Sequence, residues 1–284
     1  MLGVLFDGIA YGSLLFIVSL GLSVTMGLMN FVNLAHGAFA MAGGYVTVVA
    51  MTRLGIPFLA ALPLAFIFAA LAGAVLERTL YRRLYGASHL DQVLFSIGLT
   101  FMAIAGATWI FGPAQQPVRL PEFLRGQWNV AGVDLGIYRV FLVVVVAALT
   151  GLLALLVERT RFGAQVRAAV DDARIARGMG IDVDRVFSVT FALGSGLAGL
   201  GGALGIDVLG LDPTFPLKFI VYFLLVVVVG GAGNVTGTLA AAILLGVLDV
   251  AGKYYVPQAG AFVIYAAMVI LLVAFPAGLL GRKR

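Results

Sequence analysis

Long stretches without a charged residue limit what this chain can fold into. Seven runs lack Asp, Glu, Lys and Arg, namely residues 8–52, 54–76, 92–118, 140–157, 186–206, 219–248 and 254–281. A helix needs about 20 apolar residues to cross the hydrocarbon core of a membrane, and most of these runs meet that length. The 62% share of hydrophobic residues and the 11% share of charged residues lie far outside the range of soluble domains. The sequence therefore predicts an all-α, polytopic membrane protein with a single domain, residues 1–284.

Run lengths and basic residues together predict how the chain crosses the membrane. The first run is more than twice the length of one span, so it should cross twice with a turn near residues 29–33. The run 219–248 is interrupted by several glycines, which fits two short crossings or a re-entrant loop. Basic residues favour the cytoplasmic side, which places 158–185 inside, and the N-terminus and the main loop, 113–138, outside. Counting crossings then gives eight or nine transmembrane or re-entrant segments and requires 217–252 to return to its starting side.

Residues 158–185 form the longest polar interruption of the chain. Apolar residues recur there at the spacing of one helix face, namely Val166, Ala169, Val170, Ala173 and Ala176. A helix over 164–177 would be about 21 Å long, too short and too charged to span a membrane. Arg167 and Asp171 lie one turn apart and can pair, and glycines at 178 and 180 can end the helix. We therefore expect a short amphipathic helix outside the bilayer.

Two polar interruptions lie within apolar surroundings. In the first, Asn30, Asn33 and His36 recur every three residues, so a helix would place them on one face. They fit either an interhelical hydrogen-bond cluster at a turn or the lining of a polar path, because intramembrane polar groups need partners. The second, GGAGNVTG at 230–237, fits either a broken helix that offers backbone groups to a substrate or a plain tight turn. Both interpretations stay open for each interruption.

Composition excludes several kinds of chemistry. The chain has no cysteine and two histidines, His36 and His89, which excludes thiolate sites and histidine metal clusters. Its one Gly-Lys pair, Gly252-Lys253, is followed by Tyr254, so the chain has no phosphate-binding loop. The net charge of +5 comes from short loops between apolar runs, and this does not indicate nucleic-acid binding. We expect no enzymatic activity, no metal and no cofactor.

Four segments together carry a resemblance to a known family. They are MNFVNLAHG at 29–37, FGAQVRAAVDDARIARGMGIDVDRV at 162–186, FALGSGLAGLGGAL at 191–204 and GGAGNVTGTLAAAILLG at 230–246. In this order they resemble the permeases of branched-chain amino acid ABC transporters, and the resemblance runs nearly end to end. One departure is Leu34, where the family usually has an aromatic residue. This departure concerns fine substrate specificity.

The resemblance implies the membrane-spanning subunit of an ATP-binding cassette importer in the bacterial cytoplasmic (inner) membrane. Such importers combine two permease chains, two cytoplasmic ATPases and an external substrate-binding protein. The second permease is implied to be a different chain, and the substrate a branched-chain or related small amino acid. Alternatives are import of urea, short amides or other small organic solutes by the same architecture, and an ion-coupled secondary carrier. An ion-coupled carrier would need ionisable side chains deep in its spans, and most of the apolar runs lack such side chains.

Functional residues follow from the resemblance and from the polar interruptions. The expected ATPase-coupling residues are Gly163, Arg167, Asp171, Asp172, Ala176 and Gly180. The candidates for the translocation path are Asn30, Asn33, His36, Gly37, Gly230, Gly231, Gly233 and Asn234. No catalytic or metal-binding residue is expected.

Overall fold

The fold is a bundle of apolar helices with one short polar segment at one end. A computed structural model describes residues 1–29, 31, 33–118, 120–130, 132–275 and 278–279. The helices are α1 Leu2–Met29, α2 His36–Thr52, α3 Phe58–Thr79, α4 His89–Phe111, α5 Ile137–Arg159, α6 Arg161–Asp171, α7 Ala173–Gly178, α8 Val183–Leu209, α9 Phe215–Gly230, α10 Val235–Tyr255 and α11 Gly260–Ala274. Two short 3₁₀ helices, Tyr81–Leu84 and Glu122–Leu124, lie in connections.

Most of these helices have the length and composition of membrane spans. Six helices of the described chain are long and apolar enough to cross a bilayer, namely α1, α3, α4, α5, α8 and α10. The shorter apolar helices α9 and α11, and the largely buried 17-residue α2, complete the bundle. These nine helices of the described residues agree with the predicted eight or nine membrane segments. The turn predicted near residues 29–33 is confirmed, because α1 ends at Met29 and α2 begins at His36.

Helices α1 and α8 form the centre of the bundle, and α4 and α5 lie at its edge. The most apolar windows of α1 and α8 are 78% and 83% buried, against 17% for α4 and 11% for α5. Small residues allow the central helices to approach, because a Cβ atom on Gly43 of α2 would collide with the backbone of Gly199 in α8. A Cβ on Gly202 would likewise collide with Ala40. The helix–helix seam predicted from the small residues 194–205 is therefore confirmed.

One end of the bundle, the hairpin end, carries a β-hairpin. Strands β1, Gln127–Val130, and β2, Val133–Gly136, pair antiparallel in the loop between α4 and α5. An ion pair between Asp7 and Arg139 joins the starts of α1 and α5 at this end. The sequence analysis predicted the loop but not its strands, since a four-residue strand gives too short an alternation to recognise.

The stretch 219–248 is a helical hairpin. Helix α9 ends at Gly230, residues 231–234 turn, and α10 packs back along α9. This pair of helices fits both predicted alternatives, two short crossings and a re-entrant loop. The stretch runs out and back, as the count of crossings required.

The opposite end of the bundle, the platform end, carries α6 and α7, which we call the platform, residues 161–178. The prediction of one continuous helix over 164–177 is wrong, because the chain breaks at Asp172. This residue is extended, with φ −157° and ψ 105°, and its side chain accepts hydrogen bonds from the N–H groups of Arg174 and Ile175. An aspartate that caps a new helix in this way ends the preceding one.

Candidate functional site

The first interruption, residues 30–35, connects α1 to α2, and Phe31, Asn33 and Ala35 within it are buried in the bundle. We call it the first break; Asn30 and residue 32 lie outside the described residues. Asn33 is 1% exposed, and its Oδ1 accepts hydrogen bonds from the Ala35 N–H at 3.0 Å and from the Tyr81 hydroxyl at 2.9 Å. Asn33 lies outside α2, which begins at His36, so these two residues do not share the face of one helix.

His36 and Gly37 begin α2 deep within the bundle. The His36 ring is 1% exposed, and its Nε2–H donates to the carbonyl of Val18, 2.8 Å away, in the middle of α1. A Cβ on Gly37 would stand 3.0 Å from the Cα of Pro216, at the start of α9. The first turns of α2 and α9 therefore meet, and Gly37 allows that close approach.

The second interruption, residues 231–234, closes the α9–α10 hairpin; we call it the second break. Gly231 and Gly233 have positive φ angles of 89° and 81°, which favour glycine. The Asn234 side chain caps α10 by accepting from the Gly237 N–H at 2.9 Å. A Cβ on Gly230 would come within 2.5 Å of Thr238, so glycine is needed there as well. The geometry is that of the tight turn considered in the sequence analysis.

Helix α1 brings the two breaks together. His36, which directly follows the first break, contacts α1 at Val18, and the second break contacts it at Ser23, whose carbonyl accepts from the Gly233 N–H at 2.9 Å. Five residues of helix separate these two carbonyls, which is about 7.5 Å along the axis. The Ser23 hydroxyl also bonds the Thr238 hydroxyl at 2.8 Å. Two segments about 200 residues apart in sequence thus share one short stretch of α1.

The predicted coupling residues have distinct roles in the platform. Gly163 is buried, and a Cβ there would collide with the carbonyl of Val157, so it allows α6 to fold back on α5. Among the described residues, Arg167 does not form the predicted pair with Asp171. Its guanidinium donates to the Val157 carbonyl and so caps the end of α5.

The other predicted coupling residues divide into internal and exposed ones. Ala176 is 2% exposed and packs in a small core with Val183 and Phe187. Gly180 has a φ of 84° in the turn after α7, as predicted for a helix end. Asp172 caps α7, whereas the Asp171 side chain is exposed.

Three large apolar side chains stand exposed on the platform and at its C-terminal end. Met179 is 76% exposed, Ile175 is 62% and Val170 is 44%. The sequence analysis placed Val170 on the apolar face of the helix and did not single out Ile175 or Met179. On a continuous helix Ile175 and Met179 would also lie off that apolar face, whereas the exposure of Val170, which precedes the break at Asp172, departs from the pattern.

Asp212, in the connection between α8 and α9, forms a polar cluster with Thr214 and Lys218 that is separate from both breaks. Its carboxylate accepts from the Thr214 N–H at 2.8 Å, from the Thr214 hydroxyl at 2.5 Å and from the Lys218 ammonium. Burial alone would raise the pKa of this carboxyl, but the hydrogen bonds from Lys218 and Thr214 outweigh burial and lower the pKa below its ordinary value.

An apolar cleft of about 650 Å³ opens between α2, α3 and α4. Leucine, isoleucine, phenylalanine, valine and alanine side chains form most of its wall, and Tyr45 contributes an aromatic ring. The wall supplies almost no polar group, so it cannot by itself hold the charged ends of an amino acid.

The chain matches known proteins along nearly its whole length. The family model described as "Branched-chain amino acid transport system / permease component" matches residues 4–273. The chain belongs to this permease family. No solved structure matches it.

Relatives of the permease are found in several bacteria. It is 26% identical to the permease protein BraD of Pseudomonas aeruginosa over 98% of its own length and 95% of BraD. It is 26% identical to LivH of Escherichia coli K12 over 98% of its length and 94% of LivH. It is also 27% identical to LivM of the same organism, over 94% of its length and 68% of LivM. All three are named as permeases of high-affinity branched-chain amino acid transport systems.

These matches and the helix content confirm the predicted class and location. The permease is a multi-pass protein of the inner membrane. Its relatives are named as transport subunits, which agrees with the expectation that the chain is not an enzyme.

Proposed function

We propose that this permease imports branched-chain amino acids as one of two permease subunits of an ABC transporter driven by separate ATPase subunits. The platform carries the proposal, since it is a folded polar segment at one end of an otherwise apolar bundle. The names of BraD and LivH, both permeases of branched-chain amino acid transport systems, support the substrate class.

The exposed apolar residues of the platform support docking of an ATPase. Ile175 and Met179 lie in the polar stretch 158–185, outside the hydrocarbon, so lipid chains do not cover them. Large apolar side chains grouped on a water-facing surface are typical of protein interfaces. Arg174 and Asp171 flank them and are exposed, as expected for a polar rim.

The burial of Asn33 and His36 supports a path completed by a second permease chain. Asn33 and His36 are each 1% exposed and are bonded to groups of the same chain. In this arrangement they hold helices together, and a path within this chain alone would require those bonds to open. That Escherichia coli K12 has both LivH and LivM as relatives of this permease supports a partner that is a different chain.

Reconstitution tests the transport function and its alternatives. The permease, its partner permease and the ATPases are purified together, placed in proteoliposomes, and supplied with ATP inside and the binding protein outside. We expect uptake of labelled leucine. Unlabelled isoleucine and valine should compete with it, and an ATPase variant unable to hydrolyse ATP should abolish it. Uptake of urea or acetamide in place of leucine would establish the alternative substrate class. Uptake driven by an ion gradient without ATP would refute the ABC mechanism.

Cysteine labelling tests the proposed orientation, in which 158–185 is cytoplasmic and 113–138 external. The native chain has no cysteine, so single cysteines at Gln127 and Arg174 are clean probes. An impermeant thiol reagent added outside intact cells should label position 127 and spare position 174. The reverse pattern would show that the orientation is inverted.

A further inference from the structure

We propose that the connection between α3 and α4, residues 80–88, is a coupling joint that links the platform to the first break. Tyr81 of this joint positions Asn33, and Arg82 is tied to α7 through Asp184. The inference rests on the proposed function, because it assigns a role to this joint within ATP-driven import.

Tyr81 is the fixed side of the joint. Its side chain is wholly buried, and its hydroxyl donates to Asn33 Oδ1 at 2.9 Å. The rings of Phe31, Phe95 and Phe191 surround it, with centroids 4.8–5.3 Å away. Aromatic contacts at this distance hold the Tyr81 ring in place, so the position of the first break depends on where the joint lies.

Arg82 is the movable side of the joint. Its Nη2 lies 3.0 Å from Asp184 Oδ2, while Nη2 of Arg177 in α7 lies 2.9 Å from Asp184 Oδ1. The three side chains are between 44% and 56% exposed. Ion pairs this exposed contribute little to stability and exchange readily. They can therefore follow a displacement of α7 without the fold having to open.

Glu77 and Tyr85 fasten the joint to α3 and α8. Glu77 is wholly buried and accepts from the Tyr85 hydroxyl at 2.5 Å and from the hydroxyl of Ser188 in α8. Burial, followed by the hydrogen bond to Glu77, raises the pKa of the Tyr85 phenol above its ordinary value. The Tyr85 ring also contacts Phe31 in the first break and Phe187 in the core beneath the platform.

The joint thus touches both functional elements within five residues. Tyr81 and Tyr85 reach the first break, and Arg82 and Tyr85 reach the ion pair and the core that support α7. A shift of the platform on binding or release of the ATPase would move the joint and, through Tyr81, change the hydrogen bond that holds Asn33.

Removing one hydroxyl tests the joint. Tyr81→Phe keeps the ring and removes the bond to Asn33. Tyr138→Phe is the matched control, since the Tyr138 hydroxyl makes a buried bond of 2.5 Å to the Leu204 carbonyl, far from the platform. In proteoliposomes we expect Tyr81→Phe to lower the leucine imported per ATP hydrolysed by at least about fivefold, the factor for one hydrogen bond. Tyr138→Phe should leave this ratio unchanged even if it lowers the unfolding temperature.

A second readout follows the first break directly. With Leu34→Cys as the one thiol, the wild-type joint should give different labelling rates in the nucleotide-free and ATP-bound complexes. Tyr81→Phe should remove that difference. Asp184→Asn, which releases Arg82 and Arg177, should also reduce the difference in labelling rate. The double variant, Tyr81→Phe with Asp184→Asn, should reduce it no further than the more severe single variant does.

The outcomes separate the two proposals. A wild-type complex that neither imports leucine nor hydrolyses ATP refutes the proposed function and, because it rests on that function, the coupling joint as well. A working wild-type complex in which Tyr81→Phe keeps both the transport ratio and the nucleotide-dependent labelling refutes the joint alone. An equal fall in the ratio for Tyr138→Phe would also refute it, because the effect would then reflect general loss of stability.

Discussion

Replacing Ile175 and Met179 by serine should detach the ATPase while leaving the permease folded. Fully burying such a side chain is worth roughly 1.5–3 kcal/mol. The two are 62% and 76% exposed, so most of that burial remains to be made with a partner. Each substitution should therefore weaken docking by about 1–2 kcal/mol, or about 5- to 30-fold in Kd. Exposed positions change stability by less than about 0.5 kcal/mol, so folding and insertion should be retained.

Affinity of the purified ATPase for the permease in nanodiscs measures this effect. The matched controls are Ile175→Val and Met179→Leu, which keep apolar surface and should bind nearly as the wild type does. Thermal unfolding of each variant alone checks that the fold is intact. Wild-type affinity of the double serine variant would refute the apolar docking surface. If Asp171→Lys instead abolished binding in a folded chain, the charged rim would be the main contact.

Three further predictions follow from single contacts. Asp172→Ala removes the cap of α7 and should lower the local stability of this helix by about 1 kcal/mol. Amide hydrogen exchange should become faster over 173–178 and change little elsewhere. Unchanged exchange would show that the cap is dispensable. Gly233→Ala forces a Cβ onto a φ of 81° and within 3.0 Å of α1, so it should lower the unfolding temperature, whereas Gly86→Ala, with open space around it, should not. Because its folded pKa is lowered, Asp212 contributes stability that is complete above its unfolded value of 3.8 and is lost as pH falls through the folded pKa. Since Lys218 is half exposed, that loss should stay below about 1 kcal/mol, and Asp212→Asn should remove it from the acid unfolding curve.

The two polar interruptions show where sequence reasoning stops. Spacing brought Asn33 and His36 to attention because polar groups in an apolar run must find partners. It could not reveal those partners, Tyr81 and Val18, which lie 48 and 18 residues away in the chain. Their identity depends on how helices pack, which the spacing of polar residues does not reveal. The role of these residues in the path stays a prediction.

The sequence did not point to two side chains, Glu77 and Ile175, that the structure singles out. Glu77 closes an apolar run, where a charged residue is normally explained by solvent at the end of a span. Its complete burial between Tyr85 and Ser188 depends on contacts with α8, more than 100 residues later. Ile175 lies among charged residues and falls outside the apolar face of the predicted helix, so the sequence pattern did not single it out, and its 62% exposure is a finding of the structure.

The sequence by itself determined the class, the approximate number of spans, the polar segment outside them and the family. These properties depend on run length, charge and local order of residues, which act over a few turns of helix. Tertiary structure alone decided that His36 and the second break contact α1, that Arg167 caps α5, and that Tyr81 binds Asn33 of the first break. Those contacts join residues far apart in the chain, and apolar helices of similar composition can pack in many ways. Close approach at glycines and the pairing of buried polar groups select one of them.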